Sequence, residues 1–186
     1  TKTTTMIRIR ILPLRNNNNN KKNKNKNKYN NNVNNKLNNT RLILLGRQEK
    51  DLDPITDETK NIMSLNKNII NLGYKSDIRT FLAASNCLVL PSYREGFPNV
   101  VLQAGSMKIP SIVTNINGCN EIIRNKINGL IVKPKNINSL YLAMKKIATD
   151  RKLCKSLKRS TRRSIISKFS KDKFFEKVLN IYSNLD

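Results

Sequence analysis

The stretch that decides the fold is residues 88–118, LVLPSYREGFPNVVLQAGSMKIPSIVTNING. An apolar run at its start, Cys87–Leu90, predicts a buried parallel strand that ends before Pro91. From Asn99 the apolar side chains recur at helical spacing, and the β-branched run Ser111–Thr114 predicts a second strand. Strand, loop, helix and strand in this order are the unit of a parallel sheet covered by helices.

The same pattern continues on both sides of this stretch. A buried strand is predicted at residues 41–45, ending at Gly46, and short strands at 68–73 and 130–132. The predicted helices cover residues 56–66, 77–86, 137–149, 151–168 and 171–185. The fold class is therefore α/β, with a Rossmann-like parallel sheet flanked by helices in a domain at 41–186.

The first forty residues have a different composition. Residues 16–39 contain fifteen Asn and six Lys, too little apolar surface to offset the entropy of ordering, so residues 1–40 are interpreted as a low-complexity, disordered segment. A polybasic arm for acidic lipid or nucleic acid is the alternative. Within this segment, residues 6–12 alternate like a strand and are interpreted as a remnant of a preceding element.

The net charge of +24 raises the question of an anionic partner. Residues 1–40 carry ten Lys or Arg and no acid, and residues 145–177 carry thirteen against three acids, so the middle of the chain is only mildly basic. The five Phe and five Tyr do not alternate with the basic residues, which makes nucleic-acid binding an unfavoured interpretation. The chain has no His, which excludes a histidine-based triad and disfavours a zinc site.

Two loops are expected to line one crevice. Residues 91–99 and 115–121 each follow a predicted strand, and ligands of open parallel sheets bind beyond the carboxyl ends of the strands. Gly96 permits close approach of backbone to a ligand, and the amides at the start of the helix near Asn99, its predicted N-cap, can receive a phosphate oxygen. Gly118 and the amides behind it form a possible nest for a phosphate or a sugar.

Three sequence blocks in this region resemble a known family. EGFPNVVLQA (95–104), PSIVTNINGCNEII (110–123) and NGLIVKP (128–134) are similar, in the same order, to blocks of retaining GT-B glycosyltransferases of the family 4, or group 1, type. The resemblance covers residues 42–185 and implies the C-terminal, nucleotide-sugar-binding domain. It also implies an N-terminal acceptor domain, which residues 1–40 cannot form.

The resemblance assigns roles to the two ends of the first block. Glu95 is implied as the catalytic residue, which hydrogen-bonds hydroxyls of the transferred sugar. Gln103 stands where the family has a Glu that holds the ribose. A Gln side chain can still accept and donate hydrogen bonds but lacks the charge, so either weakened binding or a degenerate site is possible, and retained binding is favoured. Lys108 stands where the family usually has Gly at the end of the helix.

Further donor contacts are expected outside that block. Arg47, after the first strand, is a candidate for the diphosphate or a solvated loop residue, and Tyr74 for the nucleotide base or a surface loop residue. Glu121 is either a ligand contact or a cap of the following helix. The predicted donor-binding residues are Gly46, Arg47, Tyr74, Glu95, Gly96, Phe97, Pro98, Asn99, Val100, Gln103, Gly118 and Glu121.

The implied function is transfer of a hexose from a nucleotide-diphosphate sugar to a glycan or lipid-linked acceptor, with retention and with no cofactor or metal. The spaced acids Asp51 and Asp53 match the D-x-D pair of metal-dependent glycosyltransferases, but so short a match is interpreted as chance. A cytoplasmic protein is expected, with possible peripheral contact with an anionic membrane. The rival interpretations are a basic module that binds nucleic acid or anionic membrane, and a non-catalytic remnant of the enzyme.

Overall fold

The computed structural model describes the backbone of residues 6–11 and, with side chains, residues 40–47 and 54–184. The predicted disorder of residues 16–39 and the Asp51–Asp53 pair lie outside the described residues.

The described strands form one six-stranded sheet with helices on both faces, the predicted Rossmann-like α/β class. The strands are β1 Met6–Ile11, β2 Thr40–Leu45, β3 Ile69–Asn71, β4 Cys87–Leu90, β5 Ser111–Thr114 and β6 Gly129–Val132. Their order across the sheet is β3-β2-β1-β4-β5-β6. The pairs β2–β3, β4–β5 and β5–β6 are parallel, as the sequence predicts.

The strand β1 lies in the middle of the sheet and runs antiparallel to both of its neighbours. Ile7 lies opposite Leu44 of β2 on one side and Val89 of β4 on the other. Because β1 opposes both neighbours, β2 and β4 run in the same direction, and the carboxyl ends of the five other strands share one edge. The strand predicted near residues 6–12 is confirmed, and the sheet draws on both 1–40 and 41–186.

The described helices connect these strands and then close the chain. They are α1 Asp57–Leu65, α2 Arg79–Ala83, α3 Asn99–Ser106, α4 Cys119–Ile122, α5 Ile137–Thr149, α6 Arg151–Phe169 and α7 Lys171–Ser183. Side chains accept hydrogen bonds from first-turn amides in four of them, which explains why these helices begin where they do. The capping residues are Thr56, Asn136, Asp150 and Ser170.

The core lies on the two faces of β4 and β5, whose residues are all buried. Leu88 and Leu90 point to one face, where they join a cluster that includes side chains of α3 and α6. Cys87 and Val89 point to the other face and join a cluster that includes side chains of α5 and α6. Apolar side chains are therefore needed at every position of β4, which explains its unbroken apolar run.

The helices α3 and α6 pack closely against each other at Gly105. A Cβ atom on Gly105 of α3 would lie 2.4 Å from Cγ1 of Ile165 of α6, so the present spacing accommodates only glycine there. In the middle of α6, the buried hydroxyl of Thr161 lies 3.0 Å from the carbonyl oxygen of Asn128, in the turn before β6. These contacts hold α6 against both α3 and the sheet.

Candidate donor-binding site

The two loops predicted to share a crevice are in direct backbone contact. Gly118 has φ +77, and a Cβ atom at this position would lie 1.8 Å from the carbonyl oxygen of Gly96. No side chain fits in that space, so the contact requires glycine at position 118. The loops after β4 and β5 thus meet at the carboxyl edge of the sheet.

A side-chain hydrogen bond below this contact joins the same two loops. The hydroxyl of Thr114, the last residue of β5, donates to the carbonyl oxygen of Ser92, in the loop after β4. Sequence reasoning missed this bond because Thr114 reads as one more β-branched strand residue. The bond fixes the loop that carries Glu95 relative to the end of β5.

Glu95 is half-buried and lies within electrostatic range of the second loop. Burial raises the pKa of the Cys119 thiol to about 11, and the negative charge of Glu95 contributes to the same shift. Cys119 is the first residue of α4, so Glu95 lies near the start of that helix. The thiol therefore stays protonated at neutral pH.

The amino end of α3 offers unpaired amides to the site. The helix begins at Asn99 and its N-cap is Pro98, so the prediction of Asn99 as N-cap is wrong. Pro98 has the extended backbone conformation that an N-cap needs, with φ −76 and ψ 97, but its side chain cannot accept a hydrogen bond. Among the described residues the amides of Asn99 and Val100 have no hydrogen-bond partner, whereas Val101 donates to Pro98. Two free amides at the positive end of a helix suit an anionic oxygen.

Gln103 lies one helical turn beyond Asn99, on the same side of α3. It is exposed, and its side-chain amide makes no hydrogen bond with the described residues. It is therefore free to contact a ligand that reaches the end of the helix. Sequence reasoning placed it at the site through the resemblance alone.

Phe97 of the first loop has a partner that the sequence does not reveal. The ring of Phe97 meets the ring of Phe169, the last residue of α6, edge to face with the centroids 5.5 Å apart. Phe97 nevertheless remains 43% exposed. The contact ties the Glu95 loop to the end of α6.

Glu121 has a clear structural role. Its carboxylate accepts a hydrogen bond of 3.0 Å from the backbone N–H of Gly118, across the first turn of α4. This is the capping arrangement that the sequence offered as one of two alternatives. The bond also holds Gly118 in the conformation that its contact with Gly96 requires.

The other predicted donor residues form a second cluster on the same edge. The N–H of Gly46 donates to the carbonyl oxygen of Gly73 at 3.0 Å, which brings the turns after β2 and β3 together. The guanidinium carbon of Arg47 lies 4.6 Å from the centroid of the Tyr74 ring, a cation–π contact. Because β1 separates β2 from β4, this cluster lies two strand spacings, or about 10 Å, along the edge from the Glu95 loop.

Comparison with known proteins gives the same assignment for most of the chain. The family model described as "Glycosyl transferases group 1" matches residues 20–164. A galactosyltransferase of Escherichia coli, named UDP-Gal:alpha-D-GlcNAc-diphosphoundecaprenol alpha-1,3-galactosyltransferase, is 34% identical over 123 residues, 66% of this chain and 32% of the relative. The capsular polysaccharide biosynthesis glycosyltransferase CapM of Staphylococcus aureus is 26% identical over 145 residues, 78% and 38% of the two chains. The chain thus spans about a third of the length of these relatives.

The solved structures of similar fold include an isolated C-terminal domain and a complex with a nucleotide. The C-terminal domain of a group 1 glycosyl transferase (LpcC) from Francisella tularensis is 25% identical, with a TM-score of 0.56 over 62% of this chain and 60% of that domain. HepE from Anabaena, solved in complex with UDP, has a TM-score of 0.62 over 69% and 36% of the two chains, and at 17% identity it supports the fold alone. Because the family model matches more than half of this chain, the chain belongs to the group 1 glycosyl transferases.

Proposed function

We propose that this chain is the donor-binding part of a retaining, metal-independent glycosyltransferase, which moves a hexose from a nucleotide-diphosphate sugar to a glycan or lipid-linked acceptor. The observation that carries the proposal is the contact of Gly118 with Gly96. It gathers Glu95, the free amides of α3 and the start of α4 around one crevice. That crevice lies where ligands of open parallel sheets bind.

Each part of the donor has a chemically suitable partner. The amides of Asn99 and Val100 receive oxygens of the diphosphate and stabilise its charge as it departs, which is the main electrostatic demand of the reaction. Glu95 accepts hydrogen bonds from hydroxyls of the sugar, and Gln103 holds the ribose. The Arg47–Tyr74 pair lies further along the edge. There Tyr74 contacts the base and Arg47 faces the diphosphate.

The names of the relatives support a nucleotide and an acceptor class. The Escherichia coli relative is named for UDP-Gal and a diphosphoundecaprenol-linked acceptor, and HepE was solved with UDP. UDP is therefore the first nucleotide to test, and a lipid-linked glycan is the proposed acceptor. Contacts with the acceptor are assigned chiefly to the part of the relatives' length that this chain does not cover.

The test is the affinity of the full chain for UDP and for UDP-sugars, measured by calorimetry. Gln103→Ala should weaken UDP binding several-fold, and Gln103→Glu should strengthen it up to about tenfold because a charged acceptor makes the stronger bond to a ribose hydroxyl. Glu95→Ala should weaken binding of the UDP-sugar and leave UDP unchanged, since Glu95 is assigned to the sugar.

The matched control is Glu58→Ala, which removes an exposed carboxylate from α1 and should change neither affinity. Absence of binding by UDP, GDP and ADP at millimolar concentration would contradict the proposal and favour a non-catalytic remnant. Equal affinities for the natural chain and Gln103→Ala would remove Gln103 from the site.

A further inference from the structure

Helix α6 carries an unusual excess of positive charge. Its nineteen residues include eight Lys or Arg and no acid. Within the described part of the chain, ion pairs join only Asp57 to Lys60 and Asp77 to Arg79, so no described carboxylate pairs with α6. The charge of this helix is therefore left for solvent or for a partner.

These charges are concentrated on the side that faces away from the core. Leu157, Thr161 and Ile165 form the buried face of α6. The opposite face carries exposed basic residues at spacings of three and four, which we call the basic stripe: Lys152, Lys155, Arg159, Arg162 and Arg163. Like charges so spaced lie over one another and repel, so the stripe gains from a partner that neutralises them together.

We propose that the basic stripe binds the surface of an anionic lipid bilayer. The stripe is straight, about 15 Å from Lys152 to Arg162 at the helical rise, and therefore suits a flat array of negative headgroups. Its line continues into Ile166, an apolar side chain that is 47% exposed, and it contains no aromatic ring on which a base could stack. No helix in the described part of the chain is long and apolar enough to cross a membrane.

The position of α6 relates this surface to the donor crevice. Phe169, at the end of α6, packs against Phe97 of the Glu95 loop. A bilayer held along the stripe therefore lies against the same helix that supports the donor loop. Insofar as the acceptor is lipid-linked, which rests on the proposed function, this contact brings donor and acceptor to the same surface.

The experiment measures sedimentation of the full chain with vesicles of neutral phosphatidylcholine, with and without anionic phosphatidylglycerol. The natural chain should bind the anionic vesicles, lose binding as salt rises and ignore the neutral ones. The stripe variant combines Lys155→Glu, Arg159→Glu and Arg162→Glu. Each basic residue at the membrane surface contributes about fivefold in affinity, so the stripe variant should bind the anionic vesicles about 100-fold more weakly than the natural chain.

A matched variant separates the stripe from net charge. Lys67→Glu, Arg124→Glu and Lys146→Glu together make the same change in charge at exposed positions on other elements, and should keep most of the binding. Equal losses in the two variants, or no loss in the stripe variant, would overturn the proposal.

Three further measurements complete the test. Stronger stripe-dependent binding to an RNA or DNA duplex than to the vesicles would overturn the proposal in favour of a nucleic-acid surface. Circular dichroism should show that both triple variants keep the helical content of the natural chain. UDP affinity without lipid should be unchanged in the stripe variant, so failure of the membrane contact is distinguishable from failure of donor binding.

Discussion

At the scale of single residues, Lys108 is held in a conformation that does not suit it. It follows the end of α3 with φ +62, in the left-handed region that favours glycine. Lys108→Gly should therefore raise the free energy of unfolding by about 1 kcal/mol, measured by chemical denaturation. Lys133→Gly is the control, since Lys133 is exposed and has no positive φ. If Lys108→Gly raised the free energy of unfolding no more than Lys133→Gly does, this explanation would be contradicted.

Gly118 tests the contact between the two loops. Gly118→Ala places a Cβ atom 1.8 Å from the carbonyl oxygen of Gly96 and should lower the free energy of unfolding by about 2 kcal/mol or more, as well as abolish UDP binding. Gly73→Ala is the control, because Gly73 has a similar φ of +61 but no atom within 4 Å of the added methyl group. It should cost only the backbone strain, about 1 kcal/mol. Equal losses of stability would mean that the loops can separate without cost.

At the scale of elements, the start of α2 contains a group that titrates abnormally. The side chain of Asp77 accepts hydrogen bonds from the guanidinium of Arg79 at 2.9 and 2.8 Å and from its backbone N–H at 2.9 Å. These bonds lower the pKa of Asp77 to about 2 from an ordinary 3.8, with the side-chain bond as the largest cause. A lowered pKa stabilises the fold fully above 3.8, and this contribution is lost as the pH falls towards 2.

Carboxyl carbon shifts from NMR should therefore show Asp77 titrating near 2. Unfolding free energies from pH 5 to pH 2 should depend less on pH in Asp77→Asn than in the natural chain. Asp172→Asn is the comparison, because it removes an exposed carboxylate from the first turn of α7, where no side-chain hydrogen bond to it is seen in the described structure. A midpoint near 3.8 for Asp77 would contradict the bonding at the start of α2.

Periodicity predicted most elements because their apolar residues decide them. The runs at β4, β5 and α5 were located to the residue, since each is bounded by a proline or a capping side chain. The start of α2 was less accurate: the helix was predicted from residue 77 but begins at Arg79, whose backbone N–H donates to the side chain of Asp77. Local hydrogen bonds of this kind compete with helix formation and are not visible as a pattern.

At the scale of the whole molecule, β1 is central to the sheet. It separates β2 from β4 and pairs with both, so loss of its hydrogen bonds would split the sheet into the pair β2–β3 and the three strands β4–β6. Ile9→Pro removes a backbone donor in the middle of β1 and should abolish cooperative unfolding of the chain. Ile137→Pro, at the first position of α5, makes the same replacement where proline is tolerated and should fold normally. If the two variants were equally stable, β1 would not contribute to the fold.

The sequence predicted the edge of the sheet that carries the site better than the contacts within it. The loops at Gly96 and Gly118 follow strands, so their place at one edge was predictable from topology. Their direct contact, and that of Phe97 with Phe169, depend on the distance between segments far apart in the chain. The strand near residue 9 was predictable from alternation, but its antiparallel direction was not, because alternation is the same in both directions.

A donor site at the contact between the two loops is tested most directly by an NMR titration of the full chain with UDP, followed at assigned backbone amides. We expect saturable shifts at Gly96, Asn99, Val100, Gln103 and Gly118, with smaller ones at Gly46. Absence of shifts there at millimolar UDP, with polyanions shifting only amides of α6, would contradict a donor site at the contact between the two loops.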